Sequence, residues 1–461
     1  MILSILLAAT LAQASPTPIR LSPALPVPTG PTAPGSPMTE TFVVQAALPT
    51  VAPAFGNVLG FAGDRLIVTG ACIARRRGSD GQIATFERQP DGTWTTRPDM
   101  PQVNGLAPED FALQRVAGDA DTLVSTITHK GASSELVWFR RVDEPQVWKQ
   151  AGLIKGPAGA VRVNFGGAIA MDGGLLAVSE VNARPNLKDA DYLPCPRVYL
   201  FRREGDGWKA EGALQRPEAA APWWFGASLA ISGDVLVVGH PAALQPFQAE
   251  KVRASKESPM VCVYRRGASG WKLEQEVSGN GVSPYFGFGN RVAIEGDVLA
   301  VQSLNPFDAG ADVFVYRRTG ETWMLEARLQ PGVGVERGRG FGFALQVSGG
   351  RVIVGDSSAQ EGEDKSGRVF VFERRGTAWV EVTRLKPKVF CGPASFGSAV
   401  SAKWPWIVVG RVRSERLGIE PGGAYLFDMT KAPPPPPASE AGPPPAIAAP
   451  PQPNVSSTDA R

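Results

Sequence analysis

Only two histidines, His129 and His240, occur in 461 residues, so a Ser-His-Asp relay or a histidine-rich metal centre would have to use one of them. His129 follows Thr126-Ile127-Thr128 with no partner identifiable nearby, and His240 closes the apolar run Val235-Leu236-Val237-Val238-Gly239. The carboxylates of Asp189-Ala190-Asp191-Tyr192 have the chemistry to bind a cation or to act as an acid/base pair. No third partner can be named for them, and solvated loop acids are the favoured reading. Lys251, Arg253 and Lys256 cluster in a second polar stretch, and Trp223, Trp224 and Tyr285 stand just before Phe-Gly pairs. Aromatic faces beside charged loops suit a carbohydrate or peptide ligand. The alternative, which is favoured, is that Trp223 and Trp224 pack inside the fold.

Other candidates are weaker. Gly338-Arg339-Gly340-Phe341-Gly342 has the glycines of a phosphate loop, but a strand follows it where a phosphate cradle needs a helix N-terminus. The pairs Arg140-Arg141, Arg202-Arg203, Arg265-Arg266, Arg317-Arg318 and Arg374-Arg375 would grip an anionic polymer if they were free. A solvated edge facing Gly-Asp turns is the favoured reading for them. The four cysteines, Cys72, Cys195, Cys262 and Cys391, contain no C-x-x-C pair. They leave three disulfide connectivities open, with a buried thiol expected for Cys262. Asn454-Val455-Ser456 matches a glycosylation sequon, a match short enough to arise by chance.

The chain is 43% hydrophobic and 20% charged, with a formal net charge of +3 from 47 basic and 44 acidic residues. That balance gives no reason to expect nucleic acid or an anionic membrane as partner. Met1 to Ser15 reads as a secretory signal: an apolar run too short to span a bilayer, then the small-x-small pattern Ala12-Gln13-Ala14, with cleavage expected after Ala14. No later stretch is long and apolar enough for a membrane span. Residues 15–37 form a proline-rich linker, and 429–461 form a tail of the same composition with Pro433 to Pro437 and Pro443-Pro444-Pro445. Both are expected to be disordered and extended.

Between these ends lies a repeat. Phe-Gly occurs at Phe55, Phe165, Phe225, Phe286, Phe341 and Phe396, with Phe111-Ala112 as a degenerate copy. The seven copies follow one another at a period of roughly 55–60 residues, in the range of propeller and solenoid arrays. Trp94, Trp148, Trp208, Trp271, Trp323 and Trp379 mark the same register, each preceding the next of these phenylalanines by a nearly constant interval. The intervals are 17, 17, 17, 15, 18 and 17 residues. Each copy reads as four short strands, with insertions falling between the second and third. The third strands, such as Val313-Phe314-Val315-Tyr316 and Val369-Phe370-Val371-Phe372, are apolar on both faces. Each small sheet must therefore be covered on both sides, as the blades of a propeller are. The seventh copy lacks a tryptophan strand, and Thr41-Phe42-Val43-Val44 is expected to supply it and close the ring.

Phe-Gly followed by Val238-Gly239-His240-Pro241 resembles the FG-GAP repeat of integrin alpha subunits and many exported bacterial proteins. The resemblance covers residues 38–428 and lies in seven registers rather than one copy. Val354-Gly355-Asp356 and Val409-Gly410-Arg411 keep the glycine but not the proline, and Val301-Gln302-Ser303 keeps neither. It implies a seven-bladed propeller and a role in extracellular recognition or adhesion. Integrin-type blades hold calcium in an acidic first hairpin. Here those turns read Gly63-Asp64, Gly118-Asp119, Asp172-Gly173-Gly174, Gly233-Asp234, Gly296-Asp297 and Gly349-Gly350, too poor in carboxylates for calcium.

The expectation is an all-β, seven-bladed propeller that is exported, monomeric and without cofactor or metal. It recognises a protein or carbohydrate noncatalytically through the loops bearing Asp189, Asp191, Tyr192, Trp223, Trp224, Lys251, Arg253, Lys256 and Tyr285. The competing readings are a polymer-acting hydrolase or lyase working across the central channel, and a structural envelope component.

Overall fold

In a computed structural model, the repeat folds into seven sheets, six of four strands and one of five. The structure describes residues 38–39, 42–45, 55–62, 65–70, 82–89, 94–97, 111–129, 135–143, 146–156, 163–182, 196–215, 224–241, 259–279, 287–304, 311–336, 340–387, 395–412 and 423–432. All lie in the compact unit Pro28–Pro445; the other unit, Met1–Val27 with Ala446–Arg461, falls outside them, as do the expected signal and most of both proline-rich segments. Among the described residues no helix is long and apolar enough to cross a membrane.

Blade four shows the pattern. Ser228–Ser232, Val235–His240, Met260–Gly267 and Gly270–Ser278 pair antiparallel in chain order. Its second strand is buried throughout, and so is the apolar half of its third. A strand apolar on both faces loses water on both only if a sheet covers each side. The innermost strands of successive blades touch in sequence, and that of blade seven (Ser395–Lys403) returns to that of blade one (Phe55–Ala62), closing the ring. The hydrophobic clusters accordingly lie between blades: Phe341, Phe370 and Val352 of blade six pack with Val313, Val315 and Ala300 of blade five.

The Phe-Gly pair is the joint between neighbours. Phe165, Phe225, Phe341 and Phe396 are at most 1% exposed. Phe341 meets the rings of Phe370 at 5.6 Å and Phe372 at 6.5 Å. The following glycine turns the chain at positive φ, +84° at Gly226 and +83° at Gly342, which L side chains rarely adopt. Here the backbones of two blades nearly touch: a Cβ on Gly239 of blade four would stand 2.1 Å from the carbonyl oxygen of Gly289 in blade five.

That geometry corrects the register expected for blade five. The docking pair is Phe288-Gly289, not Phe286-Gly287. Phe288 is fully buried against Phe314 at 5.9 Å, and Gly289 has φ +87°. The spacing from Trp271 to Phe288 then equals that from Trp94 to Phe111 and from Trp148 to Phe165, so the short step disappears. The dipeptide occurs twice in Phe286-Gly287-Phe288-Gly289, and the second copy packs between the sheets.

Ring closure follows the expected route. Phe42–Gln45 pairs antiparallel with Gly423–Asp428 as the outer strand of blade seven. An unforeseen addition is Met38–Thr39, which lies parallel to Leu385 and Lys386 on the outer edge of blade six. One N-terminal segment thus ties the last two blades together. Deleting residues 38–48 should lower the melting temperature by about 5 °C or more. An unchanged melting temperature in a thermal scan would remove closure from the account.

Candidate functional site

The strand connections make the two faces of the ring unequal. From blade three to blade seven the hairpins that close one face are minimal two-residue turns, as at 233–234 and 296–297. On the opposite face the second and third strands are joined through 183–196 in blade three and 241–259 in blade four, against only 305–310 in blade five. Antiparallel alternation puts these long connections on the same face as the segments that enter each blade.

Most of the candidate residues lie in those connections. Asp189, Asp191, Tyr192, Trp223, Lys251, Arg253, Lys256 and Tyr285 fall outside the described residues. Trp224 is described: it is half-buried, its indole N–H is enclosed with no acceptor among the described residues, and its carbonyl accepts the Ala227 N–H at 2.9 Å. His240 is 3% exposed and meets Phe225 edge to face at 6.2 Å, a packing position. The same strand-end position holds Glu180, Asp356 and Arg411, all buried. Glu180 accepts the Tyr199 hydroxyl at 2.9 Å, and Asp356 accepts the Ser358 amide at 3.0 Å. Cys262 is buried in the third strand of blade four, while Cys72, Cys195 and Cys391 fall outside the described residues.

The opposite rim corrects the reading of the arginine pairs, which are neither a free cationic ring nor a simple solvated edge. The second arginine of the pairs in blades two to five sits across from the repeat tryptophan of its own blade, and in blade six the first, Arg374, does so. In blade four and blade five that second arginine reaches back to the preceding blade, and Arg374 does the same in blade six. Arg266 meets Glu211 at 2.8 Å, Arg318 meets Glu274 at 3.2 Å, and Arg374 meets Glu326 at 2.5 Å. The first arginine of blades four and five stays within its blade: Arg265 pairs with Asp234 and Glu274, and Arg317 with Asp297 and Glu326. Each of these glutamates follows a repeat tryptophan by three residues and is clamped between two blades. Blades one and six invert the charges across the same ladder position, as Arg65–Glu87 and Arg351–Glu373. Of the described hairpin carboxylates, Asp234 and Asp297 pair with guanidinium groups, while Asp119 and Asp172 accept backbone N–H groups. Among the described residues no group of three or more His, Cys, Asp or Glu side chains could hold a metal ion.

Two polar features escaped the sequence reading. In blade six, Arg368 and Arg384 are 1% exposed and share Glu361, with Asp364 on Arg368 and Glu381 on Arg384. Burial raises the Glu381 carboxyl against the pull of Arg384. This cluster fastens the 357–367 connection to the outer strand, with two guanidinium groups shared among three carboxylates. The second feature is a pair of arginines, Arg115 and Arg291, on innermost strands, where the equivalent positions carry Val58, Ala168, Ser228, Ala344 and Ala399. Lining up the seven copies by their second strands would have revealed them as the exceptions.

Three carboxylates of this rim, Asp121, Glu211 and Glu326, titrate low. Arg203 holds Asp121 down to about 2, and Arg266 lowers Glu211. Burial pushes Glu326 upward, but hydrogen bonds from Trp379 and Arg374 outweigh it and its net shift is downward. A carboxyl depressed in the folded state contributes stability above its unfolded pKa and loses it as pH falls through the folded one. The urea midpoint should therefore decline between about pH 5 and pH 2, and Glu326→Gln should flatten that decline while costing about 1 kcal/mol at neutral pH. Identical acid limbs for the variant and the parent would show that the clamp contributes nothing.

No family model matches the chain, and no curated protein matches it. Solved structures match at low identity. A prolyl endopeptidase is 15% identical with a TM-score of 0.49, over 83% of this chain and 48% of that one, so the match spans about half of the endopeptidase. The β-propeller domain of the Trilobed protease from Pyrococcus furiosus is 9% identical over 84% of this chain and 96% of that one, with a TM-score of 0.44. A periplasmic gluconolactonase from Pseudomonas aeruginosa is 14% identical over 77% and 95%, with a TM-score of 0.43. These are likenesses of architecture.

Proposed function

We propose that this protein is an exported recognition propeller of the FG-GAP type, binding a protein or glycan ligand noncatalytically through the loop face over blades three and four. The observation that carries the reading is the contrast between the faces: minimal two-residue hairpins on one, and the long connections 183–196 and 241–259 in adjacent blades on the other. A ring stitched on one rim can accept insertion on the other without loss of its core, and long connections on a rigid scaffold are where binding residues concentrate. The buried Phe-Gly joints support the family assignment, and the apolar N-terminal run supports export. Within the binding face, Asp189, Asp191, Tyr192, Lys251, Arg253 and Lys256 supply charge and hydrogen bonding, and Trp223, Trp224 and Tyr285 the aromatic surface.

The test is to replace residues 242–258 with a short glycine-containing turn and to screen both proteins by glycan array and pull-down. The shortened protein should keep its melting temperature within about 3 °C and lose the ligand captured by the parent. Binding that survives the replacement would overturn the proposed face, and turnover of a captured polymer by the parent would overturn the noncatalytic reading.

A further inference from the structure

The innermost strands carry few charges. Two carboxylates, Asp172 and Glu295, stand at the hairpin end, and each is engaged by the next blade: Asp172 accepts the Gly233 N–H at 2.6 Å and Glu295 the Gly350 N–H at 3.1 Å. Arg291 lies four residues before Glu295 on the same strand, about 13 Å nearer the loop face. Arg115 occupies the corresponding position in blade two. In a closed ring of seven, blades two and five stand nearly opposite each other across the axis.

The partners of these arginines set them apart from the clamped arginines of the rim. Arg291 donates its Nε–H to the Phe343 carbonyl at 3.2 Å and Nη1–H to the Asn290 carbonyl at 2.9 Å. Backbone carbonyls orient the guanidinium without neutralising it, and Nη2 has no acceptor among the described residues. The Arg115 guanidinium likewise has no carboxylate partner among them. Arg115 keeps exposed surface, yet burial lowers its pKa, the combination expected of a side chain in a narrow wet channel. Arg291 is lowered to about 10 by burial and by the charge of Arg115. Two desolvated like charges at the same register of innermost strands on opposite sides of the ring are unfavourable alone, and an anion between them would remove both the repulsion and the unmet donors. A tetrahedral oxyanion offers acceptor oxygens to both sides at once, matching the planar forks of two guanidinium groups.

We propose that the axial channel is an anion site in which a phosphate-class oxyanion is held between Arg115 and Arg291. The site is independent of the loops over blades three and four, so the recognition reading and this one fail separately. Its ligand is inorganic phosphate or the phosphoryl group of a small molecule.

The test is thermal unfolding and calorimetric titration of the whole chain with inorganic phosphate at fixed ionic strength, using the parent, Arg115→Gln, Arg291→Gln and the double variant. Succinate and sulfate serve as comparison anions. The parent should show a saturable rise in melting temperature and one phosphate per chain. Each single variant should bind about 10-fold more weakly or worse, and the double variant should give no saturable response. Without phosphate the single variants should melt no lower than the parent, because one of two facing charges is gone. Equal response to all three anions in the double variant would reveal an adventitious ion only, and a folded parent that binds no phosphate by calorimetry would overturn the site outright. The calorimetric result on the parent decides the proposal even if a variant fails to fold.

Discussion

Everything in this ring depends on how closely two backbones approach at the joint between blades. The backbone at each Phe-Gly joint presses a carbonyl against the second strand of the blade before it, and what that strand offers there is restricted. At Gly239 and Gly355 it has no side chain, and at Thr126 and Gln302 it has one that donates a hydrogen bond to that carbonyl. Thr126 Oγ1 donates to the Gly166 carbonyl at 3.0 Å, and Gln302 Nε2 to the Phe341 carbonyl at 2.8 Å. An apolar side chain would both collide and leave a buried acceptor unmatched. The repeat's two glycines are therefore two sides of one contact, and the phenylalanine is the wedge that holds it at the right depth.

The rim adds a second, weaker register. Glu211, Glu274 and Glu326 each bind an arginine of their own blade and one of the next. The pattern fades where the third residue after the tryptophan changes: blade six has Val382 there, blade two Ala151 and blade one Arg97. In blade one the arginine at the ladder position, Arg88, stacks instead over Trp406 of blade seven at 4.8 Å. The ring thus keeps a cation at several joints of this rim while changing what receives it.

How much of this could be read beforehand divides by the range of the interaction. Strand count, the buried third strands and the missing seventh outer strand follow from period and apolarity, which are local, and the sheets match them. The register of blade five was missed because Phe286-Gly287 and Phe288-Gly289 are the same dipeptide; the interval from Trp271 favours the second, and the burial of Phe288 fixes it. The arginine pairs were visible as a motif, but the glutamates they reach lie a full repeat away in a neighbouring blade, so a solvated edge was the reasonable reading. Arg115 and Arg291 were missed for a third reason: they stand out only when the seven copies are lined up by their second strands, since nothing in their flanking residues marks them. The proposed binding residues were chosen for chemistry and loop length, and of them only Trp224 is described, half-buried rather than openly displayed.

The close approach at the joint is tested most directly by giving it a methyl group. A Cβ at Gly355 would stand 2.3 Å from the Gly397 carbonyl, just as one at Gly239 would meet Gly289. Equilibrium urea unfolding of Gly239→Ala and Gly355→Ala should show midpoints lowered by the equivalent of about 1–3 kcal/mol each, with the steepness of the transition preserved. Midpoints equal to that of the parent would mean the blades have room to spare, and the joint would not be what holds the ring.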